Sequence, residues 1–197
     1  MSTATLEAPP AVKWPTDRLV TGEELLNHPE WGNCELIRGK VVQVCRPNFE
    51  HGVLAAEITF HLRTWSGAKK LGYVASNDSG VFIDHDPDTV RGPDVYFIRG
   101  ERRPIGRASK GFLDTAPDLC VEIVSPHDKS SELSDKIAQF LAMGVSLIWV
   151  IDPKKRTAQV IRQNGTTALI ASNGMLTGEN ILPGFELPLK DLFAALD

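Results

Sequence analysis

Two apolar runs on either side of a helical segment constrain the fold of this chain more than any other feature. Residues 119–125 read LCVEIVS and residues 145–152 read VSLIWVID. Neither run alternates between apolar and polar residues, which is typical of strands that are covered on both faces. The segment between them, at about 130–143, has helical periodicity and is followed by Gly144 as a C-cap, so a right-handed βαβ crossover is the expected connection. The pattern predicts an α/β fold.

The remaining segments predict shorter elements around this unit. In chain order they are a helix opened by a capping box of Thr21 and Glu24, a hairpin turning near Gly39, a helix at about 50–68, strands at about 72–76, 80–84 and 93–98, a hairpin turning at Asn164-Gly165, and a helix at about 189–195. The predicted architecture is a mixed central β-sheet flanked by helices, with additional β-hairpins.

Length and composition indicate one globular domain. The 197 residues are 42% hydrophobic and 23% charged, and we expect a flexible tail at 1–16 and a single domain at 17–197. No apolar run approaches the length of a membrane span, and the start has no basic head followed by an apolar block, so we expect a cytoplasmic protein. The three cysteines lack metal-binding spacing. The net charge of −4 gives no general attraction to nucleic acid.

Glu122 is the first candidate for chemistry because it lies in the middle of a predicted buried strand. An ionised carboxylate there is costly unless a cation or several hydrogen-bond donors meet it. A salt bridge to a covering helix would satisfy it equally well. Asp94 follows Pro93 at the start of another predicted strand, where a turn aspartate is the simpler interpretation, and Asp118 stands in a second Pro-Asp pair.

The two long helices place polar groups near their apolar faces. His61 falls within the apolar arc of the first helix and Glu57 falls at its border, while Lys136 lies at the edge of the apolar stripe of the second. Taken singly, each is more often a structural residue than a catalytic one. If they converge with Asp94 and Glu122, the set suits a divalent cation, Mg²⁺ or Mn²⁺, and an attacking water.

The central stretch resembles a known family. The run GPDV…APDLCVEIVSPHDKSSELSDKIAQFLAMGVSLIWVIDPKKRTAQVI is similar to the Uma-type restriction endonucleases of the PD-(D/E)XK nuclease superfamily, and the resemblance extends from CELIRGKVV to ILPGFELPL. It implies a restriction-endonuclease-like core in which Asp94 and Glu122 hold Mg²⁺ or Mn²⁺. Glu57 matches an acidic residue that many members carry on the first core helix.

The chain departs from the superfamily pattern at the catalytic lysine. The lysine normally stands two residues after the glutamate, where this chain has Val124. The resemblance to the Uma-type family implies that Lys136 on the following helix takes its place. The aromatic residue four positions later is Phe140 rather than the usual tyrosine. Glu35, in the stretch ELIRG, also recurs in the family, without an implied role.

The resemblance implies a metal-dependent endonuclease that hydrolyses phosphodiester bonds, with DNA as the expected partner. We expect substrate contacts from Ser125 at the end of its strand and from a basic loop at 99–110 that includes Arg102, Arg103 and Arg107. The alternative is a non-catalytic binding or assembly module that keeps the fold and closes Lys136 and Glu122 into a buried pair. A hydrolase of small phosphorylated molecules is a third candidate, and a homodimer is a further expectation.

Overall fold

The computed structural model describes residues 14–67, 70–103, 111–126 and 128–197. Most of the expected tail and Arg107 of the basic loop lie outside these ranges. The described helices are α1 Gly22–Asn27, α2 Phe49–Gly67, α3 Ser130–Met143 and α4 Leu189–Ala194. The described strands are β1 Cys34–Ile37, β2 Lys40–Gln43, β3 Gly72–Ser76, β4 Val81–Asp84, β5 Thr89–Arg91, β6 Val95–Arg99, β7 Leu119–Ile123, β8 Leu147–Asp152, β9 Thr157–Arg162, β10 Thr167–Ile170, β11 Met175–Thr177 and β12 Glu186–Pro188.

The central sheet has six strands in the order β10-β9-β8-β7-β6-β3. Strands β7 and β8 pair in parallel, and the other neighbours in this sheet pair antiparallel. Helix α3 connects the parallel pair, and its C-cap Gly144 has a φ of 104°, a conformation that favours glycine. The mixed α/β sheet predicted from the sequence is therefore confirmed.

Both faces of this sheet are covered. Leu54, Ile58 and Leu62 of α2 are fully buried against one face, together with apolar residues from the C-terminal part of the chain. Phe140 of α3 is fully buried against the other face. All five residues of β7 are buried, which is the environment that its continuous apolar run predicts. None of the helices in the described ranges has the length and apolar character needed to cross a bilayer.

A second, four-stranded sheet has the order β2-β1-β5-β4. The hairpin β1–β2 turns at Arg38-Gly39, as its sequence predicts, and β1 also pairs with β5. Strand β5 was not expected, because three residues are too few to show a periodic pattern. It matters for the site, since β5 leads directly through Gly92 and Pro93 to Asp94 and the start of β6.

Candidate active site

Asp94 and Glu122 face each other across two neighbouring antiparallel strands. Val95 of β6 pairs with Val121 of β7, so the same register continued by one residue sets Asp94 opposite Glu122. Residues directly opposite in an antiparallel pair project from the same face of the sheet. Both are nearly buried, with 8% of Asp94 and 5% of Glu122 exposed. The chain thus brings together two carboxylates that are 28 positions apart in sequence.

Two donors fix the carboxylate of Asp94. Its Oδ2 accepts the backbone N–H of Ile123 at 2.5 Å, and Nε2 of His51 lies 3.1 Å from the same oxygen. His51 is itself buried on the first turns of α2, and its Nδ1 has no hydrogen-bond partner among the described residues. Burial would lower the pKa of His51, but the contact with Asp94 outweighs it and raises that pKa.

Glu122 uses one oxygen and leaves the other without a partner. Its Oε2 accepts a hydrogen bond from Nζ of Lys136 at 2.9 Å. Its Oε1 is buried and has no hydrogen-bond partner within the described part of the chain. Burial raises the pKa of Glu122 to about 8, although the ammonium of Lys136 acts in the opposite direction. An unsatisfied buried oxygen of this kind calls for a ligand or a proton.

Lys136 reaches the site from α3 and contacts three acceptors. Nζ donates to the backbone carbonyl of Gly92 at 2.8 Å and to Glu122, and it lies 3.5 Å from Oε1 of Glu35. Burial would lower the pKa of the ammonium, but the surrounding carboxylates of Glu122, Glu35 and Asp94 raise it. Lys136 is therefore held as a cation in the centre of an acidic site.

Glu35 connects the small sheet to this centre. Its Oε1 accepts the backbone N–H of Gly92 at 2.9 Å, and its Oε2 accepts from Nη1 of Arg91 at 2.7 Å. Nε of Arg91 in turn donates to Gln139 of α3 at 2.8 Å. These bonds hold the segment before Asp94 in place from two sides. The sequence named Glu35 without an implied role. Its contacts indicate that it holds the segment that leads to Asp94.

The site opens into a cleft of about 820 Å³. The hairpin β1–β2 with the following loop forms one wall, and the N-terminal half of α3 forms the other. His51, Asp94, Glu122 and Lys136 lie among its lining residues. Asp78 lines the cleft as well, and burial together with the charge of Asp94 raises its pKa.

The remaining candidates on the helices and at the strand end divide between the cleft and the surface. Ser125 lines the cleft, and its backbone N–H donates to Asp128 at 2.7 Å. Glu57 does not line the cleft; its side chain is 40% exposed and lies 3.9 Å from His61 on the same helix. The structure thus separates Glu57 and His61 from the acidic centre.

The described part of the basic loop, residues 99–103, lies at the other end of the strands. Nη1 of Arg102 is 3.4 Å from Asp118, a fully buried carboxylate that also accepts from Arg99 at 2.9 Å. Arg99 is the last residue of β6, and Asp94 lies just before its first residue. At the usual rise per residue about 17 Å separates Arg99 from Asp94 along the strand. Arg103 lines a different cavity. Neither Arg102 nor Arg103 lies with Asp94 and Glu122, and Arg107 lies outside the described residues.

His51 is the residue that sequence reasoning missed. It stands three positions before Leu54, so it shares the sheet-facing side of α2 with the buried leucine. The available signal is this helical spacing, the same signal that points to His61. Arg91 was also missed, because a single arginine in a three-residue strand gives no pattern.

The donor set fits a divalent cation of the magnesium type. Within the described residues no group of three or more His, Cys, Asp or Glu side chains is arranged to hold a metal ion. Mg²⁺, however, is usually held by one or two carboxylates with several waters. The unpartnered Oε1 of Glu122, opposite Asp94, suits that mode of binding.

Comparisons with known proteins bear on the fold and the family of this chain. A crystal structure described as "a putative nuclease belonging to DUF820 from Anabaena variabilis" matches with a TM-score of 0.76 and 24% sequence identity, over 90% of this chain and 99% of that one. At this identity the match supports the fold. Curated proteins give no match. The model of the Uma2 family, described as "Putative restriction endonuclease", matches residues 23–190, and the chain belongs to that family.

Proposed function

We propose that this protein is a metal-dependent endonuclease that hydrolyses phosphodiester bonds in DNA, with Mg²⁺ or Mn²⁺ as its cofactor. The observation that carries the proposal is the unpartnered, buried Oε1 of Glu122 beside a second carboxylate, Asp94, on the same face of the sheet. The family and the fold of the Anabaena protein support nuclease chemistry.

Each residue of the centre has a definite task in this reaction. Asp94 and Glu122 would hold the cation, which when bound polarises the phosphate and activates water for attack. Lys136 donates toward the centre from α3, where its ammonium orients the water and offsets charge that builds on the phosphate. Ser125, which lines the cleft, would donate to a phosphate oxygen. His51 keeps Asp94 in its orientation.

One observation favours the rival function, a non-catalytic binding module. Lys136 and Glu122 already form a closed ion pair at 2.9 Å, which would satisfy both charges without any metal. In that case the buried pair is structural, and breaking it changes stability alone. The rival satisfies Oε1 of Glu122 only by a proton, whereas a cation would use this oxygen together with Asp94 opposite it, which is why we prefer the nuclease.

A nicking assay on supercoiled plasmid DNA with Mg²⁺ or Mn²⁺ separates the two functions. Wild type should nick the plasmid, and Glu122→Gln and Lys136→Ala should each lose at least about a hundredfold in rate. Glu186→Gln is the matched control, since Glu186 is an exposed glutamate outside the cleft. Calorimetry should show cation binding by wild type and none by Glu122→Gln. Equal nicking by all variants defeats the proposal. A homodimer and a cytoplasmic location stay predictions from the sequence.

A further inference from the structure

The two walls of the active-site cleft carry opposite charge. The hairpin wall contributes Arg38 and Arg46, both exposed, and no carboxylate of the described residues pairs with either side chain. The wall formed by α3 and the residues just before it contributes Asp128, Glu132 and Asp135 together with Lys129. Lys129 is 2.7 Å from Glu132 and offsets its charge. Glu35 on the hairpin wall and Lys136 on α3 also line the cleft, but they lie 3.5 Å apart at its bottom and offset each other. The remaining charges sum to two positive on the hairpin wall and two negative on the α3 wall.

The acidic residues of α3 follow helical spacing toward the cleft. Glu132 and Asp135 are three positions apart and Lys136 is one turn beyond Glu132, so this face of α3 continues from the mouth of the cleft to its centre. At the bottom the two walls are joined by the contact of Lys136 with Glu35, at 3.5 Å, and by the bond of Arg91 to Gln139. A ligand that reaches the centre must therefore pass between a basic and an acidic surface.

The basic wall attracts phosphate groups and the acidic wall repels them. A strand whose backbone follows Arg38 and Arg46 gains two charge contacts on its way to the centre. The backbone of a second strand would be pressed against the carboxylates of Asp128 and Asp135, and like charges at close range are unfavourable. The volume of about 820 Å³ is in the range of a site for a small ligand, which suits a few nucleotides of one strand.

We infer that the cleft takes a single strand of nucleic acid along its hairpin wall, with Arg38 and Arg46 on the phosphates, and that the acidic wall of α3 excludes the complementary strand. This inference rests on the proposed nuclease function and narrows its substrate to single-stranded segments, such as ends, flaps and the unpaired regions that negative supercoiling opens in a plasmid. It adds Arg38 and Arg46 to the expected substrate contacts, since the described residues 99–103 of the basic loop lie at the other end of the strands.

The test measures binding of two labelled oligonucleotides, a short single strand and the duplex of the same length, by fluorescence anisotropy in EDTA. Two double variants probe the walls: Arg38→Gln with Arg46→Gln for the basic wall, and Asp128→Asn with Asp135→Asn for the acidic wall. The change Asp128→Asn keeps a side-chain oxygen that can accept the N–H of Ser125, so the local turn is preserved. Matched controls outside the cleft are Lys154→Gln with Lys190→Gln, and Glu186→Gln with Asp191→Asn, all at exposed positions.

The basic-wall variant should lose affinity for nucleic acid, and the acidic-wall variant should gain affinity. The basic-wall variant should bind the single strand about tenfold more weakly, and the slope of its log affinity against log salt should shrink by about 1.4, or about 0.7 for each lost contact. The acidic-wall variant should bind the duplex more tightly, by about tenfold, with a smaller change for the single strand. Each control pair should stay within about twofold of wild type on both ligands.

Several outcomes overturn the inference. They are no measurable binding of wild type to the single strand, a basic-wall effect no larger than that of the lysine control, and an acidic-wall variant whose duplex affinity is unchanged. Cleavage of the same two oligonucleotides is measured in a separate experiment with Mg²⁺. A protein that binds as expected and cuts neither ligand defeats the proposed function alone, whereas one that nicks plasmid but ignores the wall variants defeats only the present inference.

Discussion

Nε2 of His51 lies 3.1 Å from Oδ2 of Asp94, the same oxygen that accepts the backbone N–H of Ile123. Helix α2 and strand β7 therefore hold one carboxylate oxygen from two directions. Asp94 stands just outside the start of β6, so the ladder alone does not set the rotation of its side chain. The imidazole supplies this constraint, as residues around metal ligands commonly do.

Replacing His51 by Gln should weaken Mg²⁺ binding and nicking by about 10- to 100-fold, because Asp94 loses a partner that orients it. His61→Gln is the matched control in the same helix, since His61 is 34% exposed and lies beside Glu57, away from the acidic centre. Cation affinity by calorimetry, with the melting temperature as a check on folding, tests the prediction. Equal cation affinities for the two variants would show that His51 does not orient Asp94.

The raised pKa of Glu122 predicts a pH dependence of stability in the absence of metal. Burial moves this pKa from 4.5 to about 8, so the folded protein binds the proton more tightly than the unfolded chain does. The contribution of this group to stability is complete below pH 4.5 and is lost as the pH rises through about 8. The free energy of unfolding in EDTA should therefore fall more steeply over this interval for wild type than for Glu122→Gln.

Urea unfolding at several pH values between about 5 and 8.5 measures this difference, and linkage theory gives its sign. Added Mg²⁺ should stabilise wild type most at the high end of the interval, where the cation binds the ionised carboxylate. Parallel curves for wild type and Glu122→Gln would mean that Glu122 is already ionised at neutral pH in the folded protein.

The sequence predicted the central sheet well because its signals are local. A nearly continuous apolar run identifies β7, and a capping glycine at 144 ends α3 at the predicted residue. The positions of Asp94 and Glu122 also followed from Pro-Asp and strand signals. Their pairing did not, since it depends on the register between β6 and β7, which no local pattern specifies.

The parts that the sequence left open are contacts between distant segments. Glu35 and Arg91 are 56 positions apart and meet because β1 pairs with β5, a strand too short to recognise. For the basic loop at 99–110, contact with phosphates stays a prediction from the sequence. A cluster of arginines suggested phosphate binding, but Arg99 and Arg102 face the buried carboxylate of Asp118. Composition gives the charge of a loop and not its partner.

Glu35 should matter for stability, because it neutralises Arg91 in a buried position. Their side chains are 12% and 9% exposed, and the loss of one partner of a buried ion pair costs about 3 kcal/mol. Glu35→Gln should therefore lower the free energy of unfolding by about that amount, and it should slow nicking by about tenfold at a temperature where it is folded, since Lys136 and Gly92 both lose a charged neighbour.

Glu57→Gln provides the comparison for Glu35→Gln, because Glu57 is a glutamate with a partly exposed side chain outside the cleft. It should change the free energy of unfolding by less than about 0.5 kcal/mol and leave nicking within about twofold. Urea unfolding measures the stability of both variants, and the plasmid assay measures their nicking rates. A strong loss of nicking in Glu57→Gln with full stability would restore Glu57 to the catalytic set that the sequence suggested.

Gly92 lies two residues before Asp94, and its backbone packs so closely against Asp78 that a side chain does not fit there. A Cβ at this position would lie 2.7 Å from the backbone oxygen of Asp78 and 2.9 Å from its Cβ. Asp78 has a φ of 52° and cannot easily move away. Gly92→Ala should therefore cost about 1–3 kcal/mol and, by shifting Asp94, slow nicking by up to about a hundredfold.

Gly52→Ala is the control for this variant, since a Cβ there meets no atom within 4 Å and the residue lies inside α2. Alanine favours the helix, so this change should raise the free energy of unfolding by up to about 1 kcal/mol and leave nicking unchanged. The two glycine variants thus differ in the sign of their stability change. If Gly92→Ala is as stable and as active as wild type, the segment from β5 to Asp94 tolerates displacement, and tight packing at Gly92 is not what positions the carboxylate.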